Sequence, residues 1–376
     1  MPAYRRRRKA IELELTIDRL ASSGEGVARA RDGRVVFVPF TAPGDRVRVR
    51  LTEQRKRFAR AEVRELLAPG STRTDPVCAV FGSCGGCAWQ HVAYGAQLEA
   101  KRAIVADALT RIAGIALSGP PAIVPSPTPY AWRSRTRVLC EGGRVGYRRR
   151  HSHALQAVDR CPVLVPELDR ALHALAKDPP AEDGEVELAQ SGGLRVGSDA
   201  LEISPGVFFQ AHAGLRDALF EAALTAAGKG ALAADLFAGA GFFTLELSRR
   251  FERVVAVEAE PAAAADLRRN AERAGRRNIE LIEAPVERAL AHVRDAETLL
   301  LDPPRTGLPR GVVETLAAGS ASRVVYVSCE PSTLARDLAA FATRGLSLAQ
   351  VTAFDLFPQT PHVEVLAVLA RPAGDL

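Results

Sequence analysis

Cys329 stands in Tyr326-Val327-Ser328-Cys329-Glu330-Pro331, directly after an apolar run with the pattern of a buried strand. A free cysteine is most often a small buried apolar side chain. At the end of a strand, on the rim of a sheet, the same group faces a ligand instead and can serve as a nucleophile. The chemistry that would use it there is addition to an electron-poor ring. Carbon 5 of a pyrimidine is a poor nucleophile, and a thiolate added at carbon 6 turns it into an enolate carbon able to take a methyl group from a sulfonium. A base must then remove the carbon 5 proton so that the thiolate can leave. Phe357-Pro358-Gln359-Thr360-Pro361-His362-Val363-Glu364 offers two candidates, Glu364 and His362. Histidine has an unperturbed pKa of about 6.5, suited to proton transfer near neutrality, whereas a Glu beside a strand is commonly a solvated edge residue. With an unperturbed pKa of about 8.5, only a few per cent of a cysteine is thiolate at pH ~7. Arg305 is the cation expected to lower that value for Cys329.

A second set of residues suits an adenosine-bearing ligand. Asp235-Leu236-Phe237-Ala238-Gly239-Ala240-Gly241 follows one apolar run and opens a helix, and Glu258 ends the next apolar run. Glycines there let backbone approach a ligand, and an acid at the end of the second strand can bind both ribose hydroxyls. A dinucleotide fingerprint would need a third glycine at position 244, which is Thr244, so an adenosine without phosphates fits better. Asp302-Pro303-Pro304-Arg305 ends a later strand. Ligands of open α/β sheets lie outside the carboxyl ends of the strands, which brings Asp235, Glu258, Asp302 and Cys329 to one rim and predicts a class I S-adenosylmethionine site.

Cys78-x5-Cys84-x2-Cys87 and Cys161-Pro162 supply four thiolates, with Gly82, Gly85 and Gly86 in the loop. Four thiolates suit tetrahedral zinc or an iron–sulfur cluster, and the spacing leaves both open. Cys140, in the apolar Val138-Leu139-Cys140, reads as core.

These residues need elements to position them. From about residue 230 apolar runs alternate with helical patterns: strands at Leu232–Leu236, Val254–Glu258, Ile279–Glu283, Thr298–Leu301 and Val324–Ser328, and helices at Gly241–Phe251 and Pro261–Ala274. That alternation predicts a doubly wound, mostly parallel sheet. Two closing strands, Ala349–Leu356 and Val363–Leu369, are joined by so short a loop that they must be antiparallel. Between residues 10 and 66, five short strands (Ile11–Ile17, Gly26–Arg29, Val35–Phe40, Arg46–Leu51 and a basic piece through Val63) broken by turn residues predict a small OB-like barrel of the kind that takes single-stranded nucleic acid. A helix is expected over Tyr94–Ile112 and strand-like pieces around Arg135–Cys140 and Val186–Val196. The organisation read from this is 1–68 as the barrel, 69–225 as a cysteine-rich middle domain and 226–376 as the sheet domain.

The chain has 376 residues and a net charge of +6. Its basic residues cluster at Arg5–Lys9, Arg46–Arg60 and Arg133–Arg150, a distribution that suits a polyanion. Ile11-Glu12-Leu13-Glu14-Leu15 places charges where a signal peptide needs an apolar core, and no run of about 18 apolar residues exists to span a membrane. A cytoplasmic protein is expected, with its cysteines as ligands or catalysts before disulfides.

Taken together these motifs resemble the RNA uracil-5-methyltransferases, in the branch with an N-terminal TRAM domain and a [4Fe–4S] cluster, whose members methylate 23S ribosomal RNA. The resemblance runs from the TRAM-like stretch Ile17–Val49, with Gly24-Glu25-Gly26-Val27-Ala28-Arg29, through Gly85-Gly86-Cys87-Ala88-Trp89-Gln90-His91, to the catalytic segments. It implies Cys78, Cys84, Cys87 and Cys161 as cluster ligands, with zinc as the alternative occupant. It implies Gln210 (in Ser204-Pro205-Gly206-Val207-Phe208-Phe209-Gln210), Phe237, Glu258 and Asp302 as cofactor-binding residues, beside Gly239 and Gly241 of the glycine loop. Cys329 matches the nucleophile and Glu364 the base, in preference to His362. The chain departs from the family pattern at Glu330, where Asn is usual, at Ala211-His212 in place of Val-Asn, and at Trp132-Arg133-Ser134 in place of Tyr-Arg-Asn. The expected function is therefore methyl transfer to carbon 5 of a uridine in 23S ribosomal RNA, with no protein partner and no membrane implied. Transfer RNA is the alternative substrate. Rival readings are an amino-methyltransferase that uses Asp302-Pro303-Pro304 for an amine and needs no cysteine, and a non-catalytic RNA-binding factor.

Overall fold

In Arg46–Gln54, RVRVRLTEQ, the alternation puts Val47 and Val49 at zero exposure and arginines outside, the period of a half-buried strand. The computed structural model describes residues 11–190, 194–196 and 199–371; the basic run Arg5–Lys9 lies outside them. The chain divides into two units, one of Met1–Ala100, Gly146–Val158 and Pro358–Pro361, the other of Lys101–Val145, Asp159–Phe357 and His362–Leu376. Of the segment 69–225, residues 69–100 and 146–158 count with the first unit and the rest with the second.

The first unit is built on six strands: Glu12–Thr16, Arg19–Leu20, Gly26–Arg29, Val35–Val38, Arg46–Gln54 and Phe58–Ala68. They lie in the order first, fifth, sixth, fourth, third, second. Ile17, Val36, Val38, Val47 and Val49 fill its core. The sequence suggests five strands; the sixth is the two-residue Arg19–Leu20. The piece ending near Val63 becomes an eleven-residue strand, whose pairing with Arg46–Gln54 slips at three places. Such bulges let a long strand pair bend and twist.

The second unit carries an eight-stranded sheet in the order Ile279–Glu283, Phe251–Glu258, Gly230–Leu236, Thr298–Leu301, Arg323–Ser328, Glu364–Ala370, Ser347–Phe354, Ala122–Val124. The first five run parallel. Glu364–Ala370 is antiparallel to both its neighbours, as the short connection requires. Both faces are covered: Leu299 and Leu301 enter one core cluster and Leu300 the other, the condition under which parallel strands read as continuous apolar runs. The helix expected from Gly241 starts only at Thr244, because Gly239 and Gly241 take positive φ of 55° and 96°, which an α-helix does not allow. The strand expected over Val186–Val196 is divided into Gly184–Ala189 and Leu194–Val196. Gly184–Ala189 pairs antiparallel with Arg135–Glu141, where Cys140 is buried core. No helix among the described residues is long and apolar enough to cross a membrane.

One buried carboxylate fastens the strand sheet of the first unit to the chain just beyond it. Asp45, at zero exposure, accepts the N–H groups of Ala42 at 2.7 Å and Gly70 at 2.9 Å and pairs with Arg73 at 2.6 Å. Burial alone would raise its pKa, but Arg73 and the two N–H groups outweigh that and hold it below the usual carboxylate value. Asp45→Ala is expected to cost about 3 kcal/mol, read as a lowered urea midpoint. The folded pKa is the depressed one, so this stabilisation is present above the unfolded carboxylate pKa and is lost as pH falls through the folded value. The gap between wild type and variant should close in acid.

Candidate active site

The rim begins where Gly230–Leu236 ends. Phe237 and Ala238 both donate to Val257 O, at 3.0 and 3.1 Å, and Phe237 takes a φ of 65°, costly for a residue with a Cβ. A Cβ built on Gly239 would meet nothing within 4 Å, so the loop is open there. The Glu258 carboxylate turns onto this loop, accepting Gly239 N–H and Glu260 N–H, each at 2.7 Å. Asp235 is fully buried. Its Oδ2 accepts the Thr244 hydroxyl at 2.5 Å and its Oδ1 has no partner. Burial pushes Asp235 up to about 7, with Thr244 working against this and the Glu258 charge adding to it. Thr244, the residue that breaks the dinucleotide pattern, thus has a physical task in holding Asp235.

The Gln210 segment is tied to the same loop. Asp266 accepts Ser204 N–H and Oγ–H, both at 2.7 Å. Val207 packs on Ala240 and Ala263, and Asn270 Nδ2 bridges Ala240 O at 3.0 Å and Glu202 O at 2.9 Å. Gln210 is buried. His212, one of the departures from the family pattern, accepts Gly214 and Leu215 N–H on Nδ1 at 3.2 and 3.0 Å. Its Nε2 therefore carries the proton and donates to Ser126 Oγ at 2.8 Å. The ring reproduces the local backbone capping that a short polar side chain performs.

Beyond the fourth strand, Asp302 N–H donates to Leu236 O at 3.3 Å. Burial pushes its carboxyl up to about 7, with the Asp235 charge adding. The next loop is held by Asp337, which accepts Tyr326 O–H at 2.7 Å and Leu308 N–H at 2.9 Å. Gly307, at a φ of 71°, lies so near that a Cβ would come within 2.6 Å of Asp337 and Arg336, so only glycine fits. Thr333 Oγ donates to Arg305 O at 3.0 Å.

In the register of the two strands Tyr326 faces Ala367, Val327 faces Leu366 and Ser328 faces Val365, so Cys329 and Glu364 follow one step beyond the last paired residues, near enough for the Glu364 charge to act on the thiol. Glu364 is 1% exposed. Burial raises it well above the usual carboxylate value, the Asp302 charge adds, and Arg305 opposes. Cys329 is pushed up to about 11, by burial first and then by Glu364, against the Arg305 guanidinium. Arg305 acts in the expected direction, but desolvation outweighs it. His362 is pulled down to about 4 by burial, Arg305 and Lys101. Its Nε2 lies 3.4 Å from Arg305 Nη2. Arginine can only donate, so that lone pair is engaged and His362 is the poorer base.

None of the six cysteines is joined in a disulfide. In the first unit Cys78 N–H donates to Gln90 Oε1 at 2.9 Å and Gly86 N–H to Cys84 Sγ at 3.4 Å. In the second, Cys161 N–H donates to Asp169 Oδ1 at 2.8 Å. Among the described residues no three His, Cys, Asp or Glu side chains are gathered as a metal site.

The sheet order, the glycine loop and the acid beyond it are those of a class I methyltransferase. A model of the tRNA (Uracil-5-)-methyltransferase family matches residues 200–372, and a TRAM domain model matches residues 6–63. The chain is 33% identical to the 23S rRNA (uracil(1939)-C(5))-methyltransferase RlmD of Alkalilimnicola ehrlichii over 100% of both chains. It is 31% identical to the enzyme of that name from Halomonas elongata, over 96% of this chain and 89% of that one. A solved structure, the tRNA (uracil-54, C5)-methyltransferase of Pyrococcus abyssi with S-adenosyl-L-homocysteine, shares the fold at a TM-score of 0.75 and 24% identity, over 95% of this chain and 100% of that one. The chain belongs to the RNA uracil-5-methyltransferase family, with an N-terminal TRAM domain, and is an S-adenosylmethionine-dependent RNA methyltransferase.

The electrostatics of Cys329 generate a test. Its alkylation by iodoacetamide, followed by mass spectrometry of the peptide, should be slow at neutral pH and rise only towards pH 11. Arg305→Ala should move that rise to still higher pH. Equal profiles for the two proteins would remove Arg305 from the control of the thiol.

Proposed function

We propose that this enzyme methylates carbon 5 of a uridine in 23S ribosomal RNA in the cytoplasm, through a Cys329 adduct, with Glu364 as the base. What supports this reading is a strand register that ends on Ser328 opposite Val365, one step short of Cys329 and Glu364, with Asp302 and Arg305 acting on both groups. In the reaction Cys329 sulfur bonds to carbon 6 and the ring electrons move to carbon 5. Carbon 5 takes the methyl group, Glu364 removes the carbon 5 proton, and the carbon 5–carbon 6 double bond re-forms as the thiolate leaves. S-adenosylmethionine supplies that methyl on a sulfonium. Gln210, Phe237, Gly239, Gly241, Glu258 and Asp302 are the residues we assign to holding it. The fit rests on the open loop at Gly239 and the acid beside it.

Ribosomal RNA is favoured because the whole-length relatives of Alkalilimnicola and Halomonas bear 23S rRNA names. Transfer RNA is the second reading, on the likeness to the Pyrococcus enzyme. We assign Cys78, Cys84, Cys87 and Cys161 to a [4Fe–4S] cluster, on the number and spacing of these cysteines and the resemblance to the cluster-bearing branch, with zinc as the alternative. Anaerobically purified protein should contain iron and acid-labile sulfide in equal amounts and a visible absorption that dithionite bleaches; zinc alone would overturn the cluster.

Incubation with 5-fluorouridine-substituted 23S ribosomal RNA and S-adenosylmethionine should give a protein–RNA band stable to denaturing electrophoresis, because fluorine cannot leave as a proton. Cys329→Ser should give none. Glu364→Gln should lower turnover by on the order of a hundredfold or more and accumulate the methylated adduct on ordinary RNA. A band formed only with substituted transfer RNA would move the substrate to that class.

A further inference from the structure

Lys101 and Asp355 are both at zero exposure and form an ion pair. Lys101 also donates to Phe357 O at 2.9 Å. Burial pulls the Lys101 pKa down while Asp355 pushes it up. A buried ion pair gains little over well-packed apolar residues of similar volume, so folding alone does not call for this one. Its location supplies a reason.

Asp355 directly follows Phe354, whose strand partner is Glu364. Asp355 N–H donates to Val124 O at 3.0 Å, which fixes the end of this strand against its edge neighbour. Two residues on, the Phe357 ring meets His362 edge-on at 6.1 Å and Trp132 at 6.4 Å, and His362 is the partner of Arg305. Lys101 therefore grips both the carboxylate beside the Glu364 partner and the carbonyl of the residue packed on His362. We infer that Lys101 and Asp355 are positioning residues that hold the Glu364 carboxylate in line for proton removal. This inference rests on the reading of Cys329 as nucleophile and Glu364 as base.

The test is a double variant, Lys101→Met with Asp355→Leu, which removes both charges and leaves neither buried alone. Lys101→Gln with Asp355→Asn, which also removes both charges and keeps polar groups able to hydrogen-bond, serves the same purpose should the first double variant not fold. Each is assayed with ordinary uridine RNA for kcat, for KM and for the fraction of protein trapped as methylated adduct on a denaturing gel. Expected are an unchanged KM for RNA, a fall in kcat on the order of a hundredfold, and accumulation of the adduct as in Glu364→Gln. Lys101→Arg, which keeps the charge, should recover part of the rate.

Wild-type kcat, or a joint loss of kcat and KM with no adduct, would overturn the positioning role. If Glu364→Gln itself accumulates no adduct, the base assignment fails and this inference falls with it. If Glu364→Gln accumulates adduct and the Lys101 and Asp355 variants do not, only the inference fails.

Discussion

The site depends on one reversal of chain direction. Five parallel strands deliver their carboxyl ends to a single rim, and each can contribute only the residues just beyond its end. Glu364–Ala370 enters between Arg323–Ser328 and Ser347–Phe354 in the opposite sense, so its first residue, not its last, arrives at that rim. This is how a carboxylate comes to stand beside Cys329 while remaining part of the hydrogen-bonded sheet. A loop residue could reach the same place, but it would lack the pairing with Phe354, and ~1 Å of misplacement can cost on the order of a hundredfold in rate.

The irregular segments on the rim are fastened by buried polar groups, each meeting backbone that no strand can satisfy. Asp337 takes a tyrosine hydroxyl and a loop N–H, Asp266 fixes Ser204, and His212 receives two N–H groups on one ring nitrogen. The Ala211-His212 departure is consequently mild for the fold, since the imidazole accepts where a short amide would. The same logic runs through the first unit, where Asp45 collects Ala42, Gly70 and Arg73. Backbone that must stay irregular for a ligand's sake is paired locally, because an unpaired buried amide costs about 1–3 kcal/mol.

Much of this was legible in the sequence where periodicity and turn chemistry agree. Ile279–Glu283 and Thr298–Leu301 fall where the apolar runs put them, and the antiparallel closing pair is dictated by the shortness of its loop. The features that escaped lacked a local signal. Ala122–Val124 is a three-residue edge strand, too short to show a period. Lys101 and Asp355 are 254 residues apart, and nothing in either neighbourhood announces the other. For Cys329 the sequence shows a cation nearby but not how deeply the thiol lies, and depth decides the sign of its shift. His362 reads as a good base from its ordinary pKa and loses that advantage only once burial and Arg305 are known.

The electrostatics of the rim are set by that depth. Asp302 and Glu364 are both raised by burial, and the Asp302 charge raises Glu364 further, while Arg305 opposes. Burial first, and then the Glu364 and Asp302 charges, push Cys329 up to about 11 against Arg305, which keeps the thiol neutral. A neutral, half-buried thiol is a poor target for oxidants and alkylators, whose attack depends on thiolate character and exposure. A positive charge brought to the rim acts on the thiol in the sense opposite to Glu364: it favours the thiolate and, by the same Coulomb interaction, the ionised forms of Asp302 and Glu364.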